Sequence, residues 1–445
     1  MPKPRPVLVV LCAAMFLVLL DVSIVNVALP TIARDLGGGT SAAQVVVDGY
    51  TVPLAALMLF GGMLSDRCGP RRLFLGGLLV FGLASLICAV APNLGALLAG
   101  RILQGAGAAA MLPASLACLS AQWPAGPDRT RALAAWSGIS ALAVAVGPLI
   151  GGVLVGGWSW RAIFLVNLPV VATAALLGGR AIRHTAGRQR ALDGPGAALS
   201  VLTLASLIGA VIAVGTREFA LSLLLAVLAC ATGALLVGWE RRTSAPMADP
   251  AVWRRPDLRR AVASAGVMNA VGNGTVLVVT LFLQGQRHLG PQLAGLAVAP
   301  LFAPLAVAPL LAGGRLGHRP PRQVARWAFL AGALGLVTLA PAGPGTAYGL
   351  MLPGLVVVGA ALGLLVAPLT AMTLAAVPEA PGLAGGLANV SRQVGTSLGV
   401  AGFGVVYQVA GLGWCFGIGA LLWLLTAAGL RIPAESKVKP VGARP

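Results

Sequence analysis

Charged residues are scarce in this chain: they make up 10% of its 445 residues, against roughly 25% in soluble domains. Hydrophobic residues make up 58%, and the mean hydropathy is +0.91. These values predict a polytopic membrane protein and leave no room for a water-exposed domain of any size. The 60 glycines and 31 prolines fit that class, because both residues are more frequent in membrane helices than in soluble ones.

Lysine is absent between Lys3 and Lys437, so the chain lacks the Gly-Lys-Ser/Thr phosphate loop that an ATP-driven pump requires. The three histidines, His184, His288 and His318, all lie in predicted loops and none is paired with a cysteine or acidic cluster. The six cysteines show no metal-ligand spacing. We therefore expect no metal, no cofactor and no catalytic residue, and we predict that the protein is not an enzyme.

The net charge of +19 does not indicate nucleic-acid binding, because the basic residues are scattered through short loops between apolar runs. Of the 31 Lys and Arg residues, 25 fall in the termini and alternate loops, four in the other loops, and two inside spans. By the positive-inside rule the richer side is cytoplasmic. High alanine, glycine and arginine content suggests a GC-rich bacterial genome. We expect a multi-pass protein of the bacterial cytoplasmic membrane with both termini cytoplasmic.

Apolar runs long enough to cross a bilayer, of about 17–25 residues each, occur fourteen times in the sequence. Two longer loops, 180–194 and 240–260, divide these runs into six, two and six. The predicted fold is all-α, with two six-helix bundles and two extra transmembrane helices. The predicted units are 1–179 for the first bundle, 180–260 for the linkers and extra helices, 261–431 for the second bundle, and 432–445 for a cytoplasmic tail.

A short basic motif occurs twice, each time at the second junction of a six-span block. The first copy, Gly62 to Arg72, reads GMLSDRCGPRR, and a weaker copy, Gly314 to Arg322, reads GRLGHRPPR, with His318 in place of the acid. Parallel repeats of this kind are a transporter architecture. A purely topological role explains the basic residues alone, so we predict a gating loop that consists of Gly62, Asp66, Arg67, Gly69, Arg71 and Arg72.

Three charges lie at unfavourable positions within apolar runs: Asp21, Asp48 and Arg101. A charge at the centre of a membrane helix costs at least about 2.5–3.5 kcal/mol and is a functional-site hypothesis by default. We expect Arg101 to face a polar cavity, where it tunes a carboxylate or contacts substrate. A carboxylate at Asp21, held between desolvation and a nearby arginine, can load and release a proton. Structural pairing is the alternative for both, and Asp48 could instead lie at the membrane interface.

Several polar residues share the level or the helix face of these charges. Gln104 is three residues from Arg101 and lies on the same face, and Asn26 and Tyr50 follow the two acids. Arg392 and Gln393 form a second polar pair in the thirteenth run and could line the same space from the other half. The predicted proton-coupling residues are therefore Asp21, Arg101 and Asp48, and the predicted substrate cavity contains Gln104, Asn26, Tyr50, Arg392 and Gln393.

Glycines are concentrated in the fifth run, which contains Gly138 and the sequence Gly147-Pro148-Leu-Ile-Gly151-Gly152. Gly147 and Gly151 are four residues apart and can form a close helix contact, while a proline inside a helix removes a backbone hydrogen bond and bends it. Ordinary small-residue packing is the simpler interpretation. The combined spacing favours a hinge formed by Gly138, Gly147, Pro148, Gly151 and Gly152.

At these motifs the chain resembles the major facilitator superfamily and, within it, the drug:proton antiporter family with fourteen spans. The matching segments are Leu20–Pro30, Gly62–Arg72, Arg101–Gly107, Gly138–Gly152 and Trp158–Pro169. The resemblance implies alternating access between two six-helix bundles, with a drug or metabolite leaving as protons enter. It makes Asp21 and Arg101 the coupling candidates and Gly147 with Pro148 the antiporter hinge.

The predicted function is proton-coupled export of small amphipathic or hydrophobic compounds, such as drugs or antibiotics, with the proton gradient as the only energy source. The alternative is a proton-coupled importer or uniporter of a small metabolite, against which the fifth-run motif argues. A non-transporting sensor would tolerate loss of Asp21. The expected partners are a small-molecule substrate, protons and the lipid bilayer, with no nucleic acid, and the protein is expected to be a monomer.

Overall fold

The computed structural model describes residues 4–37, 39–124, 126–184, 187, 193–215, 218–243, 250–289, 291–316 and 318–430. These residues form α-helices and one π-helical turn, with no strand among them. The helices are α1 Pro4–Leu36, α2 Gly39–Cys68, α3 Pro70–Ala89, α4 Leu94–Gln122, α5 Pro127–Gly157, α6 Ala162–Leu165, α7 Asn167–Ala181, α8 Gly194–Gly215, α9 Phe219–Glu240, α10 Pro250–Arg254, α11 Pro256–Leu281, α12 Pro291–Leu316, α13 Pro321–Leu339, α14 Tyr348–Ala376, α15 Pro381–Ala410 and α16 Leu412–Gly429. The π-helical turn Phe282–Gln286 continues α11.

The helices are long because the hydrocarbon core of a membrane offers no hydrogen-bond partners, so each segment must satisfy its own backbone hydrogen bonds. Helix starts carry local signals: the Asn93 side chain accepts a hydrogen bond from the Ala96 N–H at 2.9 Å and caps α4. The α2–α3 junction turns at Gly69, whose φ of 88° favours glycine, and Pro70 then begins α3.

Among the described residues, 11 helices are long and apolar enough to cross a membrane, or up to 12 when the two bent parts of α5 count as one span. The long helices α13 and α15 fall outside that number. They carry intrahelical arginines, Arg322 and Arg326 in α13 and Arg392 in α15, which lower their hydropathy. The predicted count of fourteen spans therefore stays a prediction.

The predicted boundary of the second bundle at residue 261 lies inside a helix, because α11 begins at Pro256. Pro256 at the first helical position and Asp257 in the first turn both favour a helix start there. Helix α11 therefore begins within the polar residues that precede the apolar run. The basic termini, Lys3 and Lys437 onward, lie outside the described residues.

Each half of the molecule has its own apolar core. The first half, α1–α7, is built around side chains such as Phe74, Phe81 and Trp136, and the second half, α11–α16, around Phe329, Phe416 and others. The hairpin formed by α8 and α9 lies outside both halves. Helix α8 packs against α2 of the first half and α15 of the second, while α9 is largely exposed.

The two halves meet near one end of the bundle, which we call the basic end; it contains the α2–α3, α4–α5 and α12–α13 junctions. Gly62 of α2 packs on the Gly382 backbone of α15, and Gly138 of α5 packs on Leu310 of α12. These small residues allow close approach between helices. All four positions lie in the half of their helix that is nearer the basic end. The structure is therefore closed at the basic end.

Helix α5 bends by 44° between Val144 and Leu149, the position predicted for the hinge. The side chain of Pro148 lies outside the described residues. Gly147 is buried, and Gly147 and Gly151 both face α1: a Cβ atom at Gly147 would overlap Ser23 Oγ, and one at Gly151 would lie 3.0 Å from Ile24. Gly152 has no atom within 4 Å of its Cβ position. The α1–α5 contact thus depends on Gly147.

Gly147→Ala is expected to lower the free energy of unfolding by about 1–3 kcal/mol, because overpacking forces neighbouring groups to shift. Gly152→Ala, five residues along the same helix, is the matched control and should stay within about 0.5 kcal/mol of wild type. Thermal unfolding of the purified variants in detergent measures both. Equal stability of the two variants would contradict the close α1–α5 contact.

Candidate functional site

The centre of the first half contains a buried ion pair between Asp21 of α1 and Arg101 of α4. The side chains are 0% and 1% exposed, so solvent does not reach either one. The Arg101 Nη1 atom donates to Asp21 Oδ2, and its Nε atom donates to the Val46 carbonyl oxygen of α2 at 3.1 Å. The two charges that the sequence placed in separate apolar runs therefore neutralise one another.

Three uncharged polar side chains complete the network around the pair. Gln104 Nε2 donates to Asp21 Oδ1 at 3.2 Å and to Ser85 Oγ at 2.8 Å, while its Oε1 accepts from Arg101 at 2.9 Å. Asn167 Nδ2 of α7 donates to Asp21 Oδ1 at 3.4 Å and to Ser85 Oγ at 3.3 Å. Asp21 thus accepts hydrogen bonds at both oxygens, as a buried carboxylate requires.

Two aromatic rings cover the arginine. The guanidinium carbon lies 4.4 Å from the Tyr50 ring centroid and 5.9 Å from that of Phe164, distances typical of cation–π contacts. The Tyr50 hydroxyl donates to the Val18 carbonyl oxygen at 3.1 Å. The rings exclude water and strengthen the electrostatic interaction between Asp21 and Arg101, since low dielectric amplifies Coulomb energy.

The arrangement is suited to hold or release one proton. Ionised Asp21 is matched by Arg101 and by two amide donors. A proton on Asp21 would cancel the negative charge and leave Arg101 as an unmatched cation among apolar side chains. An unpaired buried charge costs about 3–5 kcal/mol. Protonation of Asp21 therefore favours a rearrangement that gives Arg101 a new anion or access to water.

The residues predicted to line the substrate cavity divide into two groups. Gln104 and Tyr50 are fully buried inside the first half and do not line an open space in this conformation. Asn26 is exposed, and its Nδ2 donates to the Val22 carbonyl oxygen at 3.2 Å. Arg392 and Gln393 are half-buried. Arg101 likewise faces the interior of the first half rather than the expected cavity, because Asp21 binds it there.

Asp48, the third predicted coupling residue, is half-buried and lies two residues from Val46, the carbonyl partner of Arg101. Asp48 therefore lies at about the same depth in the bundle as the buried Asp21–Arg101 pair. Its coupling role stays a prediction.

The gating loop contacts the second half through Asp66. Its Oδ1 atom accepts a hydrogen bond from the Gly382 N–H and its Oδ2 atom from the Leu383 N–H, both at 2.8 Å. These N–H groups belong to the first turn of α15 and have no partner within the helix. A carboxylate there also matches the positive end of the helix dipole. Asp66 thus holds the halves together at the basic end.

Of the other gating-loop residues, Gly62 also packs on the second half. Arg71 donates to the Gly179 carbonyl oxygen of α7, and Arg72 is exposed. Among the described residues of the second copy, Arg322 pairs with Asp257 of its own half, and His318 is exposed. A histidine in place of the acid cannot accept from two backbone N–H groups as the two oxygens of a carboxylate do.

Ser85, Asn167 and the Gly382 and Leu383 N–H groups belong to the site although they were not predicted. Asn167 lies in the Trp158–Pro169 segment that carries the family resemblance, so a signal for it existed. Ser85 is one serine among many, and backbone N–H groups have no sequence signal. Groups of three or more His, Cys, Asp or Glu residues that could hold a metal do not occur among the described residues.

Comparisons with known proteins identify the family of the chain. The family model described as Major Facilitator Superfamily matches residues 11–400. The chain is 33% identical to the Multidrug resistance protein Stp of Mycobacterium tuberculosis over 402 residues, which cover 88% of this chain and 74% of that protein. It is 34% identical to the Cephamycin export protein CmcT of Amycolatopsis lactamdurans over 456 residues, which cover 98% and 94% of the two chains.

A solved structure has the same fold. The crystal structure of the human organic anion transporter MFSD10 (TETRAN) superposes with a TM-score of 0.70 at 18% sequence identity, and the match covers 97% of this chain and 100% of that one. At that identity the likeness concerns the fold alone. The predicted all-α transporter fold with two helical bundles is thereby confirmed.

Proposed function

The chain belongs to the major facilitator superfamily, and from that premise we propose that it is a proton-coupled antiporter that exports small amphipathic or hydrophobic compounds by alternating access. As a member of this superfamily it is a multi-pass membrane transporter rather than an enzyme, and its relatives include proteins named for multidrug resistance and antibiotic export. Proton coupling, export direction and the transport cycle are the proposed parts.

The observation that carries the proposal is the buried Asp21–Arg101 pair. An acid with no exposed surface, held by a cation and two amides deep in a membrane protein, is costly unless its charge has a use. Protonation of Asp21 would remove its attraction for Arg101, and return of the pair would expel the proton. A proton gradient could drive a conformational cycle through this exchange.

The closed basic end supports alternating access. Asp66 and the glycine contacts join the halves at that end, and Asn26 and Arg392 retain exposed surface further along the bundle. We assign the basic end to the cytoplasm by the positive-inside rule. In that orientation the structure corresponds to a state closed to the cytoplasm, from which an exporter would release its substrate.

The test is transport by the full-length protein in vesicles that contain a pH-sensitive dye, with a proton gradient imposed and a panel of fluorescent dyes and antibiotics added. Antiport predicts that substrate triggers proton movement opposite to its own. Movement of both in the same direction would replace export with proton-coupled import. Substrate flux without any proton flux would make the protein a uniporter and remove the proposed role of Asp21.

A further inference from the structure

Arg392 is the second cation inside the transmembrane region, and its position differs from that of Arg101. It lies about 16 Å along α15 from Pro381 at 1.5 Å per residue, roughly half the depth of a ~30 Å hydrocarbon core. Unlike Arg101, which is 1% exposed, Arg392 is half-buried. A cation at this depth is expensive and marks a functional site unless a partner neutralises it.

Arg392 lies on the face of α15 that is directed toward the first half. Gly385 packs on Pro113 and Leu116 of α4. Arg392 follows seven residues later, about two helical turns on, and therefore lies on the same face. The side chain of Arg392 is half-buried at this position. It thus faces the space between the halves.

Arg392 has no carboxylate partner among the described residues. The ion pairs there join other residues, and Asp21 is bound to Arg101. Among the described residues the guanidinium makes one hydrogen bond, from Nη2 to Thr370 Oγ1 of α14 at 3.0 Å. A guanidinium has five N–H donors in a fork that matches a carboxylate. Most of those donors therefore remain available to a ligand.

Several uncharged polar groups lie near Arg392. Gln393 is half-buried on the next position of α15, and Asn273 of α11 donates to Thr396 Oγ1 at 3.1 Å one turn further along. These amides and hydroxyls can orient a ligand, but they cannot neutralise a cation. The Asp21–Arg101 pair carries no net charge, so it leaves the charge of Arg392 unmatched.

We propose that Arg392 is the anchor for an acidic group of the transported compound, so that the substrates are amphipathic molecules with a carboxylate or a similar anion. This inference rests on the proposed function and names its substrate class. The anion forms a two-pronged contact with the guanidinium, while Gln393 and Thr370 lie beside it. An apolar body would occupy the space between the halves.

The experiment compares three fluorescent probes that share one dansyl group: dansyl-leucine, which is an acid, its neutral methyl ester, and the cation dansylcadaverine. Binding to the full-length protein in lipid nanodiscs is measured by dansyl fluorescence. The wild type should bind the acid at least about tenfold more tightly than the ester, because a desolvated ion pair discriminates strongly. Arg392→Gln should remove this difference, and Arg392→Lys should keep part of it.

Two further variants separate anion binding from a structural role. Thr370→Val removes the acceptor of Arg392 but keeps the cation, so it should retain the preference for the acid; a loss equal to that in Arg392→Gln would overturn the proposal. Arg326→Gln removes the same charge from α13, which packs on α14 and α16, and should behave as wild type. Equal or undetectable binding of acid and ester to the wild type also overturns the inference.

Vesicle transport of the same probes tests the anion site and proton antiport separately. Preference for the acid without proton movement would uphold the anion site and reject proton antiport. Proton movement that is equal with acid and ester would uphold antiport and reject the anion site. Preference for dansylcadaverine would assign the opposite charge to the substrate and reject the role of Arg392.

Discussion

Asp21→Asn is expected to reduce proton-coupled transport to the rate of empty vesicles. Asparagine keeps the size of the side chain and can still accept from Gln104, but it cannot carry a proton or neutralise Arg101. The variant should also unfold more easily, by about 3–5 kcal/mol, because Arg101 becomes an unpaired buried charge. Substrate-triggered change of internal pH and thermal unfolding in detergent measure the two effects.

The double variant Asp21→Asn with Arg101→Gln separates coupling from stability. It removes both charges, so most of the lost stability should return, since replacing a buried pair by neutral groups is often close to neutral in free energy. Proton coupling should remain absent. If the double variant regains coupled transport, the pair serves only to hold α1 and α4 together, and the proton pathway lies elsewhere.

Asp66→Ala is expected to open the basic end. The change removes two hydrogen bonds from a charged acceptor to the Gly382 and Leu383 N–H groups. Hydrogen bonds to charged groups contribute about 1.5–3 kcal/mol each. When the gate opens, hydrogen bonds from water to the freed groups recover part of this free energy. We expect a net shift of about 2–3 kcal/mol, which changes the ratio of closed to open molecules roughly 30- to 150-fold.

Spin labels at Arg72 and Arg319 measure this shift, because both positions are exposed at the basic end and belong to different halves. The exposed Cys68 and Cys230 must first be replaced by serine. Asp128→Ala is the matched control: Asp128 is an exposed acid at the same end that pairs with Arg131 of its own helix. An unchanged distance distribution in Asp66→Ala would contradict the gate.

Local sequence patterns identified the membrane class, the loop motif and the charges of the site. Apolar runs and scarce charges follow from the solvent, and Asp21, Arg101 and Asp66 stand out because a charge in a membrane helix or at a tight junction is rare. These features are visible without any knowledge of packing, since each depends on one segment and its contact with lipid or water.

Contacts between segments that are distant in the sequence could not be predicted from local patterns. The sequence suggested one shared cavity for Gln104, Tyr50 and Arg392, but the packing of α1, α2 and α4 buries the first two beside Asp21, while α15 turns Arg392 toward the gap between the halves. Gln104 and Arg392 both occur in apolar helices, and their sequence surroundings do not distinguish an interior face from an open one.

What the sequence determined by itself is therefore the class of the protein, its approximate helices and the identity of its unusual charges. The tertiary structure decided which charges neutralise one another, that Ser85 and Asn167 complete the network, and that Asp66 acts on backbone N–H groups of a helix more than 300 residues away along the chain. The physical reason is that lipid imposes the same apolar surface on every helix. Close packing and polar contacts between helices select the neighbours, and both are specified by pairs of helices rather than by either helix alone.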